Sequence, residues 1–300
     1  MYKIILNPFA GKGKAFRSIR TIEKYFQKFQ IEYDMQITDS PKQATEIALQ
    51  GANQGIENII AAGGDGTINE VLNGIMKSEN PEKINLGIIA IGGGNDFVKN
   101  LDYPQKIEKQ IKILKNCDTK KVDIGKIENH YFINTLGLGF DAQVATTYSK
   151  SNLLNGFIGY LIAVLLTLIR CRSYLVKIFA NDKTITKNAL FITVGNGKCC
   201  GGKFHLTPNA KIDDGLFDFC IIDKISRRKI VKLLPKTIKG EHTNFSVVTM
   251  LKGKEINIKS NEDLPVYMDG EIPELKNRKN IDIKILSKKI SLISKKIVTI

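Results

Sequence analysis

The sequence predicts an α/β protein with a doubly wound, mostly parallel sheet in its first part and a largely antiparallel β domain in its second. Two observations predict this fold. Up to about residue 127, short apolar runs alternate with amphipathic segments, which is the pattern of parallel strand–helix–strand units. Beyond that point, strand-like runs follow one another with turn residues between them, which is typical of antiparallel pairing.

The first predicted domain covers residues 1–126, and residues 287–300 are a candidate to return to it. Its predicted strands are Tyr2–Leu6, Ile31–Ile37, Asn58–Ala62, Leu86–Ile91 and Lys120–Ile127. Its predicted helices are a basic one through Phe16 and Phe26, one with Pro41 at its first position, Ile68–Met76 and Gln105–Leu114. Ligands bind such sheets at the carboxyl ends of the strands, where two glycine-rich turns fall.

The second predicted domain covers residues 127–286. Its predicted strands are Tyr131–Leu138, Leu175–Ala180, Thr184–Asn188, Leu190–Gly195, Leu216–Ile222, Ser246–Leu251, Glu255–Ser260 and Pro265–Met268. An apolar helix after Leu153 and a basic helix, Ser226–Lys239, interrupt them. The last residues, Ile281–Ile300, return to a strand-like alternation.

Composition bounds the class of protein. The 300-residue chain carries 45 Lys and Arg against 30 Asp and Glu, a net charge of +15, which favours polyanionic partners or, alternatively, only solubility. The 5 cysteines fit no disulfide framework or zinc pattern, and we expect reduced thiols in a cytosolic protein. The start of the chain does not have the form of a signal peptide.

One apolar segment runs from Leu153 to Ile169. Its uninterrupted part, Phe157–Ile169, is too short for a membrane span, which needs about 20 residues. A buried helix is the simpler interpretation, and an interfacial or lipid-lining helix is the alternative.

The first glycine-rich turn has the form of an anion site. A buried strand ends at Ala62, the turn Gly63-Gly64-Asp65-Gly66-Thr67 follows, and Ile68 to Ile75 carries apolar residues at helical spacing. Backbone N–H groups and the helix dipole attract phosphate there, and glycines allow close approach. Because a carboxylate repels phosphate, Asp65 indicates a cation or a sugar hydroxyl beside it.

Other catalytic motifs are absent. The sequence has no Gly-x-x-x-x-Gly-Lys-Ser/Thr loop, no dinucleotide fingerprint, and no histidine in a recognisable triad, so hydrolase and zinc chemistry are set aside. What remains is a set of carboxylates after strands or in turns, any of which alone is more simply a turn residue: Asp65, Asp96, Asp123, Asp214 and Glu271. Together they suit phosphoryl transfer, which needs a phosphate cradle, Mg²⁺ and a base.

Gly63 to Glu70 resembles the nucleotide-binding signature of the diacylglycerol kinase catalytic-domain family. In particular, the chain resembles the soluble bacterial diacylglycerol kinases and related lipid kinases, including sphingosine kinases. Further matches in order are Asn7-Pro8-Phe9-Ala10-Gly11, Thr38, Asn95-Asp96-Phe97, Asp123-Ile124-Gly125, Pro208 to Gly215 and Asp269-Gly270-Glu271. The resemblance implies a first domain like those of 6-phosphofructokinase and NAD kinase, and a β-sandwich second domain.

The resemblance also implies roles for individual residues. ATP would contact Asn7, Pro8, Phe9, Ala10, Gly11, Thr38, Gly64, Asp65, Gly66, Thr67, Ile68, Asn69, Glu70 and Gly93. Mg²⁺ would bind the side chain of Asp214 and the carbonyl groups of Lys211 and Leu216, with Asp96 and Asp123 connected to it through waters. Glu271 would be the general base, and Asp65 would act near the phosphates through a catalytic Mg²⁺. The implied reaction moves the γ-phosphate of ATP to the primary hydroxyl of a membrane lipid, with diacylglycerol, giving phosphatidic acid, as the leading substrate.

One position departs from the family pattern. The second turn is Gly92-Gly93-Gly94-Asn95-Asp96-Phe97, and Gly93 stands where family members usually have threonine. One lost hydrogen bond costs roughly 0.5–1.5 kcal/mol, so we expect ATP affinity to be up to about tenfold weaker.

The expected partners are a membrane lipid and an anionic membrane surface, with no nucleic acid. Basic clusters at Lys12/Lys14, Arg170/Arg172 and Arg227–Lys229 would dock on headgroups, placing the protein in the cytoplasm and peripherally at the inner face of the membrane. The resemblance allows a homodimer. Three alternatives remain open: a kinase for another lipid alcohol such as phosphatidylglycerol or a sphingoid base, an NAD kinase, or a non-catalytic nucleotide or lipid sensor.

Overall fold

The computed structural model describes residues 1–150, 156–181 and 183–295. The chain divides into two compact units. The N-terminal unit contains Met1–Asp123 and the chain from Lys288 onward, and the C-terminal unit is Ile124–Ser287.

The N-terminal unit is a parallel sheet with helices on both faces. Its elements are β1 (Tyr2–Leu6), α1 (Ala10–Lys28), β2 (Tyr33–Ile37), α2 (Gln43–Asn53), β3 (Asn58–Gly63), α3 (Asp65–Met76), β4 (Asn85–Ala90), a 3₁₀ turn Phe97–Leu101 and α4 (Ile107–Asn116). The strand order is β4-β3-β1-β2, and all three pairs are parallel. The end of the last strand, β14 (Asn280–Ile293), also pairs in parallel with β4.

Alternation along β1 shows why the helices divide between two faces. Ile4 and Leu6 pack with Ile22 of α1 and Leu114 of α4, while Ile5 is buried on the opposite side. Helices α2 and α3 pack against each other, as do α1 and α4. The predicted doubly wound sheet is therefore confirmed.

The C-terminal unit is a β structure that carries three α-helices among its described residues. Its elements are the end of β5 (Thr119–Ile127), β6 (His130–Phe132), β7 (Thr135–Gly139), α5 (Phe140–Ser149), α6 (Gly156–Leu168), β8 (Tyr174–Ala180), β9 (Lys183–Gly195), β10 (Phe217–Asp223), α7 (Arg227–Lys239), β11 (Val248–Gly253), β12 (Glu255–Ser260) and β13 (Val266–Met268). Adjacent strands in the order β11-β10-β9-β8-β12-β14 run antiparallel. Strand β7 pairs antiparallel with both the end of β9 and β13.

Strand β10 separates two cores. Phe219 and Ile221 point into a core formed mainly by strands, while Cys220 and Ile222 point into a core roofed by α5, α6 and α7. The predicted largely antiparallel β domain is confirmed. All 5 cysteines are free thiols.

Three local predictions differ from the structure. The predicted strand Tyr131–Leu138 is broken after Phe132, because the backbone there turns to donate hydrogen bonds to Asp269. Two predicted strands, Thr184–Asn188 and Leu190–Gly195, form the single strand β9. Helix α2 begins at Gln43 and not at Pro41, because Lys42 is left-handed with φ 68°. In the predicted strand Ile281–Ile300, residues 296–300 lie outside the described residues.

Helix α6 has one buried face and one exposed face. Tyr160, Ala163 and Val164 pack into the helix-roofed core, whereas the opposite face is exposed. The exposed apolar face of α6 consists of Ile158, Ile162, Leu165, Leu166 and, just after the helix, Ile169. Residues 153–155 of the predicted apolar segment lie outside the described part. Within the described ranges, no helix is long and apolar enough to cross a membrane.

Candidate active site

Three loops of the N-terminal unit approach one another at the carboxyl ends of β1, β3 and β4. A Cβ at Gly11 would lie 2.2 Å from the carbonyl oxygen of Ile91, and a Cβ at Gly92 would lie 2.4 Å from the Cα of Gly64. Only glycine permits such close backbone approach. The predicted Asn7–Gly11 turn and the two glycine-rich turns are therefore brought together.

The first loop is held to the start of α3. Asn7 Oδ1 accepts the backbone N–H of Phe9 at 3.0 Å, and its Nδ2 donates to Thr67 Oγ1 at 3.3 Å. Gly11, Lys12 and Gly13 follow with φ of 57°, 59° and 74°, so α1 continues regularly only after a left-handed turn. Phe9 projects into solvent, where an aromatic ring is available to a ligand.

Helix α3 begins immediately after the first glycine-rich turn. Gly64 is extended, and the first helical hydrogen bond runs from Ile68 N–H to the Gly64 carbonyl. No described side chain caps this end of the helix. The first backbone N–H groups of a helix have no intrahelical partner, and together with the dipole they favour a phosphate.

Two carboxylates approach the second glycine-rich turn. Asp65 Oδ1 accepts the backbone N–H of Phe97 at 3.0 Å, which links the two turns. A Cβ at Gly94 would lie 3.2 Å from Asp65 Oδ2 and 3.5 Å from Asp96 Oδ2. Asp96 Oδ1 also pairs with Lys99 Nζ at 2.6 Å. The structure therefore brings Asp65 and Asp96 to the same turn, and a cation or a sugar hydroxyl beside Asp65 stays a prediction.

Three other predicted site residues, Glu70, Thr38 and Asp123, form hydrogen bonds with the protein backbone. Glu70 Oε2 accepts the backbone N–H of Ala44 at 3.2 Å at the start of α2, and burial raises the pKa of Glu70. Thr38 is buried and its hydroxyl donates to the Leu6 carbonyl at 3.4 Å. Asp123 is 0% exposed and its Oδ1 accepts the Lys288 N–H at 2.6 Å, which fixes the returning chain. Their predicted roles toward ATP or metal stay predictions.

The Asp269-Gly270-Glu271 segment is a two-residue hairpin. Asp269 and Gly270 have φ of 45° and 105°, and Met268 and Glu271 exchange two backbone hydrogen bonds of 2.8 Å. Positive φ at both central positions is the conformation of a type I′ turn, which an Asp-Gly pair favours. Glu271 is exposed at the hairpin end.

Asp269 anchors this hairpin. Its side chain is buried, and its carboxylate accepts backbone N–H groups from Ile133 at 2.6 Å, Asn134 at 3.2 Å and Thr135 at 2.7 Å. The sequence motif indicated no such role for Asp269. The sequence offered no signal for it, because the donors are backbone N–H groups of a distant segment.

The predicted metal segment contains one carboxylate that faces a lysine. Asp214 Oδ1 accepts the Leu216 N–H at 3.1 Å, and its Oδ2 lies 3.8 Å from Lys252 Nζ. Among the described residues, no group of three or more His, Cys, Asp or Glu side chains is arranged to hold a metal. One carboxylate with backbone carbonyls and waters is still an oxygen donor set of the kind that Mg²⁺ uses. Lys252 was not identified from the sequence.

A narrow cavity of about 50 Å³ lies under the three helices of the C-terminal unit. Its lining is apolar, including Phe140, Val164 and Leu233, with Asp141 as the acidic exception. Burial raises the pKa of Asp141 to about 6, although Tyr160 donates a hydrogen bond to it at 3.3 Å. The cavity suits an apolar group.

Comparison with known proteins agrees with this arrangement. Residues 1–127 match the family described as the diacylglycerol kinase catalytic domain. Residues 134–284 match the YegS C-terminal NAD kinase beta sandwich-like domain. The two matches together describe a kinase catalytic unit followed by a β-sandwich-like unit. The chain belongs to the diacylglycerol kinase family, and it is an ATP-dependent lipid kinase, as the family resemblance implied.

Individual relatives cover almost the whole chain. A diacylglycerol kinase of Staphylococcus saprophyticus is 33% identical over 270 residues, which cover 90% of this chain and 88% of the relative. One from Staphylococcus epidermidis is 35% identical, with coverage of 90% and 85%. The crystal structure of a putative diacylglycerol kinase from Bacillus anthracis has a TM-score of 0.79 at 25% identity, with coverage of 99% and 98%. The predicted fold class is confirmed by these likenesses.

Proposed function

We propose that the protein transfers the γ-phosphate of ATP, with Mg²⁺, to the primary hydroxyl of a membrane lipid. Diacylglycerol is the leading substrate and phosphatidic acid the product, in keeping with the names of the relatives. The observation that carries the proposal is the hairpin in which buried Asp269 fixes the backbone and Glu271 is presented to solvent. A carboxylate so placed can accept the proton of a substrate hydroxyl.

The N-terminal unit supplies the nucleotide-binding part. The start of α3, with Gly64 to Thr67, offers backbone N–H groups to the phosphates, and the loop at Asn7–Gly11 lies against it. Asp65 and Asp96 would hold a cation that screens the phosphates. Such an ion, when bound, withdraws charge from the transferring phosphoryl group.

The reaction requires one proton acceptor and one in-line displacement. The lipid hydroxyl oxygen forms a bond to the γ-phosphorus while its proton passes to the Glu271 carboxylate. The bond from the γ-phosphorus to the bridging oxygen breaks, and ADP leaves with those electrons. Lys211, Asp214 and Leu216 would hold a second, structural Mg²⁺ in the C-terminal unit.

The exposed apolar face of α6 supports docking on an anionic membrane. Arg227 at the start of α7 donates to the Ile169 carbonyl at 2.7 Å, and Arg170 adjoins it, so cationic groups border the apolar face. Apolar side chains can enter the headgroup region while the guanidinium groups contact lipid phosphates. We therefore propose that the protein lies peripherally at the inner face of the membrane. We also propose that it forms a homodimer and that it does not bind nucleic acid.

Leu166→Glu is expected to weaken binding to vesicles of anionic phospholipid by about tenfold or more. The change removes one apolar group worth roughly 1.5–3 kcal/mol when buried and adds a repelled charge. Vesicle cosedimentation measures the effect. Leu175→Glu is the matched control, because Leu175 is similarly exposed on β8 but lies outside the α6 face. Equal weakening by both variants would contradict docking through α6.

Gly93→Thr is expected to tighten ATP binding by up to about tenfold, because it restores a hydroxyl. A Cβ at Gly93 would meet no heavy atom within 4 Å, so the side chain fits. Calorimetric titration with a non-hydrolysable ATP analogue measures the affinity. Gly92→Thr is the contrasting control and should disrupt the site, because its Cβ would lie 2.4 Å from Gly64 Cα. Unchanged affinity in the Gly93 variant would show that no hydroxyl contact is missing.

A labelling experiment tests the function itself. The protein is incubated with labelled ATP, Mg²⁺ and diacylglycerol, phosphatidylglycerol, a sphingoid base or NAD, with the lipids in anionic micelles. Labelled diacylglycerol supports the proposal, and labelling of another lipid alone changes the substrate. Labelled NAD without any labelled lipid contradicts it, and ATP binding without transfer favours the sensor alternative.

A further inference from the structure

Lys252 occupies a distinctive position beside the predicted metal segment. It stands directly opposite Asp218 in the antiparallel pair of β10 and β11, and its Nζ lies 3.0 Å from Asp218 Oδ2. The same ammonium lies 3.8 Å from Asp214 Oδ2. One cation therefore serves two carboxylates that repel each other.

The position of Lys252 is fixed by more than its charge. Asn181 Nδ2 donates to the Lys252 backbone carbonyl, and a Cβ at the next residue, Gly253, would lie 2.8 Å from Asn181 Oδ1. Asp218 is almost fully buried, its side chain only 4% exposed, and a buried carboxylate needs a positive partner. Asn181 thus fixes the backbone of Lys252, and the buried carboxylate of Asp218 attracts its ammonium, while the lysine side chain remains 44% exposed.

The two carboxylate oxygens of Asp214 have different surroundings. Its Oδ1 accepts the Leu216 N–H at 3.1 Å, which leaves Oδ2, the oxygen that Lys252 faces at 3.8 Å, as the less engaged oxygen for a metal. A divalent cation on Oδ2 would lie close to the ammonium and be repelled by it.

We propose that Lys252 supplies a positive charge beside this segment, and that its ammonium neutralises Asp214 and Asp218 when no metal is bound. The ammonium then competes with a divalent ion for Asp214 Oδ2. The segment then folds without Mg²⁺, and metal binding there requires the ammonium to turn fully to Asp218. The inference rests on the metal site of the proposed function. Its test uses metal binding alone, so a failure of the kinase assay does not decide it.

The test is Mn²⁺ binding by the full chain without nucleotide or lipid, with free Mn²⁺ measured by electron paramagnetic resonance. Lys252→Met should bind Mn²⁺ at least tenfold more tightly than the unaltered protein. Lys252→Arg should show no gain, because it keeps the charge. Lys254→Met is the matched control at a neighbouring exposed lysine and should also show no gain.

A second variant locates the effect. Adding Asp214→Asn to Lys252→Met should abolish the gain in Mn²⁺ affinity. Equal Mn²⁺ binding by Lys252→Met and the unaltered protein, or a gain that survives Asp214→Asn, overturns the proposal. Should Lys252→Met be unfolded without metal, millimolar Mn²⁺ should restore a cooperative thermal transition, and failure to restore it overturns the proposal as well.

Discussion

Glu271→Gln is expected to lower the rate of phosphate transfer by about 10²–10⁴-fold while ATP binding stays unchanged. Positioned general bases contribute roughly this factor, and an amide cannot accept the hydroxyl proton. The hairpin itself should persist, because it is closed by the backbone groups of Met268 and Glu271 and anchored by Asp269. Single-turnover kinetics with saturating ATP and lipid measure the loss, and calorimetry measures ATP binding.

Glu274→Gln provides the matched control for this variant. Glu274 is an exposed carboxylate three residues further along, so the change removes the same charge from the same region. Its activity should remain close to that of the unaltered protein. Full activity in Glu271→Gln would show that another group accepts the proton, and equal losses in both variants would indicate an effect of net charge.

The N-terminal unit was predictable because its signals are local. Apolar runs of strand length alternate with helical spacing, and each glycine-rich turn follows its strand immediately in the sequence. The close approach of Gly64 and Gly92 adds what the sequence cannot show, because it joins residues from two separate turns. The resemblance named the residue types of the site, and the structure gives their hydrogen bonds.

The broken strand and the missed lysine of the C-terminal unit both depend on contacts distant in sequence. The break in the strand predicted at Tyr131–Leu138 is caused by Asp269, whose partner Ile133 is 136 residues away. Local pattern cannot reveal that backbone N–H groups are directed to a distant carboxylate. Lys252 was missed for the same reason. Its pairing with Asp218 depends on the strand register, which sets the two residues opposite each other.

Spacing also cannot tell a ligand contact from a structural contact. Thr38 follows β2 and Glu70 lies in α3, yet Thr38 donates to a strand carbonyl and Glu70 accepts from the start of α2. The resemblance to the diacylglycerol kinase family, and no local signal of their own, made both residues candidates for contacts with ATP. Their hydrogen bonds hold the loops in place, so they can support a nucleotide site by positioning its backbone.

Asp269→Asn should strongly destabilise the C-terminal unit. The carboxylate accepts N–H groups from Ile133, Asn134 and Thr135, and an amide would turn an NH₂ group toward some of these donors. Loss of one partner from a buried charged network costs about 3–5 kcal/mol. For a unit of this size that corresponds to a fall in the melting temperature of roughly 10 °C, which calorimetric unfolding measures.

The same variant separates anchoring from catalysis. Below its melting temperature, Asp269→Asn should still bind ATP analogues through the N-terminal unit, but phosphate transfer should fall sharply because Glu271 is no longer held. Asp263→Asn, at an exposed aspartate six residues earlier, should change neither stability nor transfer. Calorimetric unfolding and single-turnover kinetics on both variants provide the comparison. If Asp269→Asn kept its melting temperature but lost phosphate transfer, Asp269 would take part in the reaction itself. If the variant kept both its melting temperature and its transfer rate, the anchor made by the carboxylate would be dispensable.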